Sequence, residues 1–297
     1  ENEKFAGGYY TTTVETLIPS NGRGIQCATS HNLGQNFSKM FEIKYMDKDQ
    51  KEQLAWQTSW GMTTRTIGVM TMTHGDNNGL VLPPRVAPIQ VVLIPIITSH
   101  DNPAEITNMC HEFHAVLKKH GIRAKVDDGD THNPGFKFSH WELKGVPVRL
   151  EFGGQDMTKG QVTLVCRDNR EKLFVKTEDL ADTVSKLLET IQNRLFQTAK
   201  SELEKKQKTA EDFETFLKHI SDNCMVLTPW CEDKKCEDDV KKQVKIESEK
   251  AGVEENVAGT AKTLCIPIDQ KGGIKEGQKC FFCKENAKIN VWWGRSY

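Results

Sequence analysis

The chain has 297 residues, 37% of them hydrophobic and 27% charged, with a formal charge of −1 at pH 7. That length suits two or three domains with cores of their own, and a near-neutral balance excludes a polycation, so any nucleic-acid binding must come from a local basic patch. No apolar run approaches the roughly 18 residues of a membrane span.

No basic-then-apolar leader precedes the first element, although a chain opening at Glu1 without methionine makes that a statement about these residues only. Nine cysteines without a leader point to a reducing compartment, where close cysteine pairs suggest metal sites before disulfides.

In chain order, YYTTTVETLI (9–18) is rich in β-branched residues at period two and predicts a strand; GRGIQCAT (22–29) predicts a second one after a turn. TSHNLGQNFSKMFEI (29–43) places Thr29, His31 and Gln35 in a Gly/Asn-rich loop before an apolar, helix-like segment. A lone histidine there reads first as a structural residue. WGMTTRTIGVMTMTHGDNNGLVLPPR (60–85) puts Arg65 between threonines, follows it with an apolar helical run, and stops that run with Gly-Asp-Asn-Asn-Gly and Pro-Pro. Prolines 83, 84 and 88 mark a junction.

The pattern then becomes strand–helix–strand. IQVVLIPI (89–96) is the continuous apolar run of a strand buried on both faces. Over 103–121, Ile106, Met109, Cys110, Phe113, Val116 and Leu117 share a helical face, with Pro103 at the start and Gly121 after the end. Strands follow at 122–126, 145–152 and 161–167. From about Thr177 the chain is helical: Leu180, Val184, Leu187, Leu188, Ile191 and Leu195 keep helical spacing. Thr209 to Asp212 reads as a capping box opening a further helix at Phe213. The Lys/Glu runs at 200–208 and 241–250 read as solvated helix faces rather than a nucleic-acid patch.

Cys231 and Cys236 form C-x4-C, and Cys280 and Cys283 form C-x2-C. Two short thiolate pairs are what a tetrahedral structural Zn²⁺ needs; four thiolates close the sphere, so such a metal would hold structure and activate no water. Cys224 and Cys265 are spare candidates, though Cys265 lies in LCIPI (264–268) and reads as core; Cys27, Cys110 and Cys166 read as small buried hydrophobes. G-x-S-x-G, Ser/His/Asp spacing and a Walker loop are all absent. What remains in the first region is one arginine and several hydroxyls, the ingredients for holding a phosphate chain by charge and hydrogen bonds.

The strings FAGGYYTTTVETLIPSNGRGIQCATSHNLGQNFSKMFEI (5–43), SWGMTTRTIGVMTMTHGDNNGLVLPPRVAPIQ (59–90) and FKFSHWELKGVPVRL (136–150) resemble prolyl-tRNA synthetase of the eukaryotic and archaeal type, as do the cysteine pairs and the final GRSY (294–297). The resemblance covers essentially the whole chain. It implies an α/β (α+β) fold: 1–87 as the C-terminal part of a class II antiparallel catalytic sheet, 88–190 as an α/β anticodon-binding domain, and 191–297 as a helical, zinc-binding C-terminal domain. The implied reaction joins L-proline to proline tRNA through prolyl-adenylate, using ATP with Mg²⁺, in a cytoplasmic homodimer without membrane attachment.

Residue by residue, the resemblance implies that Arg65 is the motif 3 arginine on the ATP phosphates, Thr63 a neighbouring ATP contact, and Gln26 and Thr29 ligands of ATP and its magnesium. His31 becomes a proline-pocket residue, with Phe5 and Trp60 as apolar walls; Cys231, Cys236, Cys280 and Cys283 become the zinc ligands, and Glu142 an anticodon contact. Three departures stand against it. Motifs 1 and 2 are missing, which implies the C-terminal half of a longer enzyme. FGGQD (152–156) carries Gln155 where the family usually has arginine, and Tyr9 and Cys27 stand where Asp and Gly are commoner. A zinc-stabilised tRNA-binding or scaffold module without activity remains the alternative.

Overall fold

The computed structural model describes residues 4–250, 261–270 and 272–296; Glu1 and Tyr297, the outer ends of the first and last segments assigned above, lie outside the described residues. Two compact units result. One combines residues 1–69 with 202–297, and the other holds residues 70–201.

The first unit opens with β1 (Tyr10–Ile18) and β2 (Arg23–Gly34), an antiparallel pair. Then come α1 (Asn36–Phe41), a small hairpin of β3 (Lys44–Met46) and β4 (Glu52–Leu54), β5 (Gln57–Met62), and α2 (Arg65–His74), which stops before Gly75. The stretch read as a loop around Thr29 and His31 is therefore strand. Its polar residues are held between a threonine-rich partner, β1, and a second antiparallel partner, β5, which pairs with residues 28–34. Ladder hydrogen bonds on both edges satisfy a backbone whose side chains carry no apolar alternation.

The second unit is an α/β layer. Its elements are β6 (Val91–Ile96), α3 (Pro103–Lys119), β7 (Ala124–Val126), α4 (Pro134–Leu143), β8 (Val148–Gly153), α5 (Gly154–Lys159), β9 (Gln161–Cys166), β10 (Lys172–Lys176) and α6 (Leu180–Lys206). The sheet runs β10-β9-β8-β6-β7, with β7 and β8 parallel to β6 and the β9 edge antiparallel. The apolar run of β6 is explained on both faces: Val91 and Leu93 join the core under α3 and α6, while Val92 and Ile94 pack with Trp141 and Val146. Asn102 caps α3 by accepting from the Ala104 N–H, and Gly121 takes φ +76° beyond its end.

The chain then returns to the first unit through β11 (Gln207–Thr209), α7 (Phe213–Ser221), β12 (Met225–Trp230), α8 (Lys234–Lys250), β13 (Ala261–Cys265) and β14 (Ile289–Ser296). These strands continue the sheet of the first segment: its order is β1-β2-β14-β12-β11, with β5 on β2 and β13 on β14. Beneath lies an aromatic core of Phe216, Phe281, Trp230 and Trp293, with Trp230 and Trp293 edge to face at 5.9 Å. Three expectations change here. The helix cap is Asp212, whose carboxylate accepts the Thr215 N–H, because Thr209 is taken up in β11. Cys265 is only half-buried, with Ile266 and Ile268 exposed, so LCIPI is not core; Cys27 is half-buried as well. Among the described residues no helix is long and apolar enough to cross a membrane.

The turn after α2 is tied to its unit by an ion pair that local sequence does not announce. Asp76 pairs with Gly79 across the Gly-Asp-Asn-Asn-Gly turn and accepts the Asn78 N–H. Its carboxylate takes both ends of the Arg167 guanidinium, at 2.6 and 2.8 Å, while Arg167 Nε donates to the Glu142 carbonyl. The arginine side chain is 4% exposed and the aspartate 43%. Those guanidinium bonds hold the Asp76 carboxyl well below the usual carboxylate range. A depressed folded pKa adds stability that is complete above the unfolded value near 4 and lost as pH falls below it. Asp76→Asn should lower unfolding stability by about 1.5 kcal/mol at pH 7, the lower end for bonds to charged groups because the carboxylate is partly solvated. Urea titrations at pH 7 and pH 3 should show the deficit shrinking at the lower pH; an unchanged midpoint at pH 7 would remove this role.

Candidate functional sites

The first site rests on an irregularity in β2. Thr29 lies opposite Thr13 and Ala28 opposite Val14, but Gln26 lies opposite Glu15, so Cys27 is an extra residue, a β-bulge. Side chains alternate across a strand, so without the bulge Gln26 would face away from Thr29 and His31. With it, all three line one cleft of about 550 Å³, together with Glu15, Phe5 and Arg65. The far wall comes from the chain's other end: Lys262, Thr263 and Leu264 of β13 and Ser296 of β14. Sequence reasoning missed those residues, for they lie about 200 positions or more from their neighbours in the cleft.

Helix α2 lies against the opposite face, where Val69 packs with Ile18 and Ile25. It begins at Arg65, and the Thr63 hydroxyl accepts the Arg65 N–H at 3.3 Å. The exposed guanidinium reaches over the strand, with Nη1 donating to the Gln26 carbonyl at 3.5 Å. His31 is fixed from two sides. Its Nδ1 is 2.8 Å from Thr11 Oγ1, and the Phe5 ring lies 4.8 Å away, held by a bond from the Phe5 N–H to the same threonine hydroxyl. Thr63 and Trp60 do not line the cleft. Trp60 pairs with Ser30, on the other face by the alternation of the pleat, and is 81% exposed.

The second site is the cysteine cluster. The sulfurs of Cys231, Cys236, Cys280 and Cys283 lie within 4.8 Å of one another, with Cys231–Cys283 at 3.6 Å and Cys236–Cys280 at 3.9 Å. Sulfurs about 2.3 Å from a central Zn²⁺ stand about 3.8 Å apart at the corners of a tetrahedron, so the donor set fits. Cys231 follows β12 and Cys236 enters α8, while the second pair precedes β14. A residue in the left-handed region turns each knuckle, Glu232 and Lys284, both at φ 64°. Burial pushes the Cys231 thiol up to about 11 and raises Cys236 further, whereas at Cys280 burial is outweighed by the N–H groups of Phe282 and Cys283. Four thiolates here need a cation to hold them. Cys224 is buried but stands apart from the cluster.

In the second unit, Glu142 lines a cleft of about 380 Å³ with Trp141, Arg149, Arg167, Arg170 and Lys172 among its walls. Glu142 pairs with Arg170 at 3.5 Å, and the Arg149 guanidinium lies 4.1 Å over the Phe138 ring. The surface is cationic and part aromatic. Gln155 lies in the first turn of α5 and is not among the lining residues.

Comparison with known proteins gives two family matches: "Anticodon binding domain" over residues 90–187 and "Prolyl-tRNA synthetase, C-terminal" over 213–297. The cytoplasmic proline–tRNA ligase of Arabidopsis thaliana is 46% identical over all of this chain, which covers 54% of that protein. The proline–tRNA ligase of Encephalitozoon cuniculi is 42% identical, with 60% covered, and the bifunctional glutamate/proline–tRNA ligase of Mus musculus is 45% identical, with 20% covered. A crystal structure of prolyl-tRNA synthetase from Cryptosporidium parvum, complexed with halofuginone and AMPPNP, superposes with a TM-score of 0.86 at 47% identity, over the whole chain and 59% of its own. The chain thus spans at most about three fifths of these relatives.

The cysteine geometry is open to a direct check. Co²⁺ added to the reduced, metal-free protein should give the intense visible bands of a tetrahedral thiolate complex, at one ion per chain. Cys280→Ser should weaken binding by at least about tenfold and alter the bands, since it removes one of four ligands. Octahedral Co²⁺ spectra for both proteins would mean that the sulfurs do not form a site.

Proposed function

We propose, for a chain that belongs to the prolyl-tRNA synthetase family and corresponds to its C-terminal portion, that the protein containing it ligates L-proline to proline tRNA through prolyl-adenylate. Its residues would carry the motif 3 half of the active site. The observation that carries this reading is the convergence of Gln26, Thr29, His31 and Arg65 on one cleft. The AMPPNP bound by the Cryptosporidium relative supports a nucleotide there.

In this reading Arg65 meets the ATP phosphates with a planar, permanently charged fork, and Gln26 and Thr29 contribute oxygens toward ATP and its Mg²⁺. Proline sits by His31 and Phe5. With Nδ1 engaged by Thr11, His31 is left with Nε2 to face the substrate, while the phenyl ring offers an apolar wall to the pyrrolidine. The proline carboxylate attacks the α-phosphorus and pyrophosphate leaves; a hydroxyl of the terminal ribose of the tRNA then attacks the prolyl carbonyl and AMP leaves. The protein forms no covalent bond; it holds reactants in line and neutralises phosphate charge. Trp60 as a proline wall and Thr63 as an ATP contact draw no support from the cleft lining.

Residues 1–87 would then belong to the catalytic core, 88–190 to the anticodon-binding domain and 191–297 to the zinc-binding C-terminal domain. The family matches at 90–187 and 213–297 support the last two. Glu142, in its cationic cleft, is the proposed anticodon contact. Zn²⁺, when bound, would close the sphere of the four cysteines and stabilise the fold. A homodimer in the cytoplasm is the assembly this reading carries; for the compartment alone, the cytoplasmic designation of the Arabidopsis relative gives support.

Arg65→Ala in the full-length protein should reduce proline-dependent ATP–pyrophosphate exchange about 10²- to 10³-fold, the usual effect of losing one donor to a charged transition state. The 297-residue chain alone should show no exchange, because motifs 1 and 2 are not among its residues. Robust exchange by the isolated chain, or an Arg65→Ala enzyme of normal rate, would sink the assignment.

A further inference from the structure

We infer that Lys262 is a second cationic contact for the polyphosphate of the nucleotide, supplied by the C-terminal sheet from across the cleft from Arg65. The inference rests on the reading of that cleft as the nucleotide site.

Strand registers set the geometry. β14 pairs in parallel with the start of β2, Ser296 beside Gly24, and β13 pairs antiparallel with β14, Lys262 beside Gly294. Partners in a ladder share a face, and residues two apart along a strand share it too. Gly24, Gln26, Gly294, Ser296 and Lys262 therefore share one face of the sheet, with Glu15 opposite Gln26. The other face of β14 is the buried one, carrying Val291, Trp293 and Arg295. Lys262 thus stands on the face that forms the cleft, and it lines that cleft with Gln26, Thr29 and Arg65.

Packing holds it there. Leu264 is the extra residue between Thr263, opposite Trp293, and Cys265, opposite Trp292. Its side chain lies on two glycines: a Cβ at Gly24 would meet Leu264 Cδ1 at 2.8 Å, and one at Gly294 at 2.9 Å. The two absent side chains leave room for Leu264 over β14 and β2, and Lys262 is two residues from that contact.

Charge supplies the chemistry. Among the described residues, the titratable ones lining the cleft are Arg65, Lys262, His31 and Glu15. With histidine neutral, two cations and one carboxylate leave a single positive charge, which suits a ligand as anionic as a triphosphate with its Mg²⁺. A lysine is a flexible point charge able to follow a phosphate, whereas Arg65 gives a fixed fork. Lys262 is half-buried, so part of its screening by water is already removed.

The test uses the full-length protein, with KM values for ATP and proline from pyrophosphate exchange and for tRNA from aminoacylation. Lys262→Ala should raise the ATP KM about tenfold or more, the effect of one charge-assisted hydrogen bond, and leave the proline and tRNA values within about twofold. Lys262→Arg should recover most of the loss, and the melting temperature should not move. An unchanged ATP KM beside an Arg65→Ala enzyme that has lost exchange would overturn the role of Lys262 while leaving the cleft assignment intact. A rise confined to the tRNA KM would also overturn it, by moving the contact to a tRNA phosphate. So would parallel rises in all three constants with a lower melting temperature, which would mean a structural lysine. Normal exchange in both variants would remove the nucleotide reading itself.

Discussion

The arrangement of the first unit depends on one strand, β2, which is hydrogen-bonded along both edges. β1 takes one edge over its whole length, while β14 and β5 share the other, β14 at the start and β5 at the end. Through β14 the strands of residues 202–297 become part of the sheet that begins at Tyr10. A connection made of backbone bonds has little freedom. Shifting β2 by one residue would turn Gln26 away from the cleft and break the match with β14 as well. The bulge at Cys27 works inside this frame, reversing the alternation once so that residues on both sides of it share a face.

Electrostatics divides the molecule into three kinds of charge. Arg167 is buried and spends its whole guanidinium on Asp76 and the Glu142 carbonyl, so it fixes structure and has little left for a ligand. Arg65 is exposed, and its guanidinium makes a long bond to a carbonyl. The same side chain type thus serves two ends, and exposure with weak partnering marks the arginine that can take an anion. The Lys/Glu runs belong to a third kind. Along α8 they form pairs such as Lys245–Glu249 and Lys250–Glu247, solvated contacts of small individual worth.

Much of the fold was legible because it is written locally. The run of β6 reads as doubly buried and is so; the stripe from Leu180 to Leu195 is buried in α6; Pro103 and Gly121 bracket α3 as their backbone chemistry requires. What stayed hidden depends on partners far along the chain. Thr29 and His31 look like loop because polar residues declare a strand only when two other strands claim their backbone. Thr209 looks like a cap because nothing nearby shows that β11 will pair with β12. Asp76 and Arg167 stand 91 residues apart. For the sites, the cysteine pairs were legible as two knuckles, and the long strings around His31 and Arg65 named the family. The bulge and the far wall of the cleft were not legible, since both are properties of register.

Register also links the two candidate sites of the first unit. The cysteine pairs sit where β12 ends and just before β14 begins, and these strands pair antiparallel, Trp230 opposite Ile289 and Val226 opposite Trp293. Whatever joins the four sulfurs therefore pins the end of β14 nearest the cluster. Seven residues on, the same strand ends in Ser296, beside Gly24 and on the rim of the cleft. A strand rises about 3.3 Å per residue and is stiff along its hydrogen-bonded length, so an anchor at Ile289 constrains the register at Ser296. The sulfurs touch no substrate and need not; their contribution to the cleft is to fix the strand on which its far wall is built.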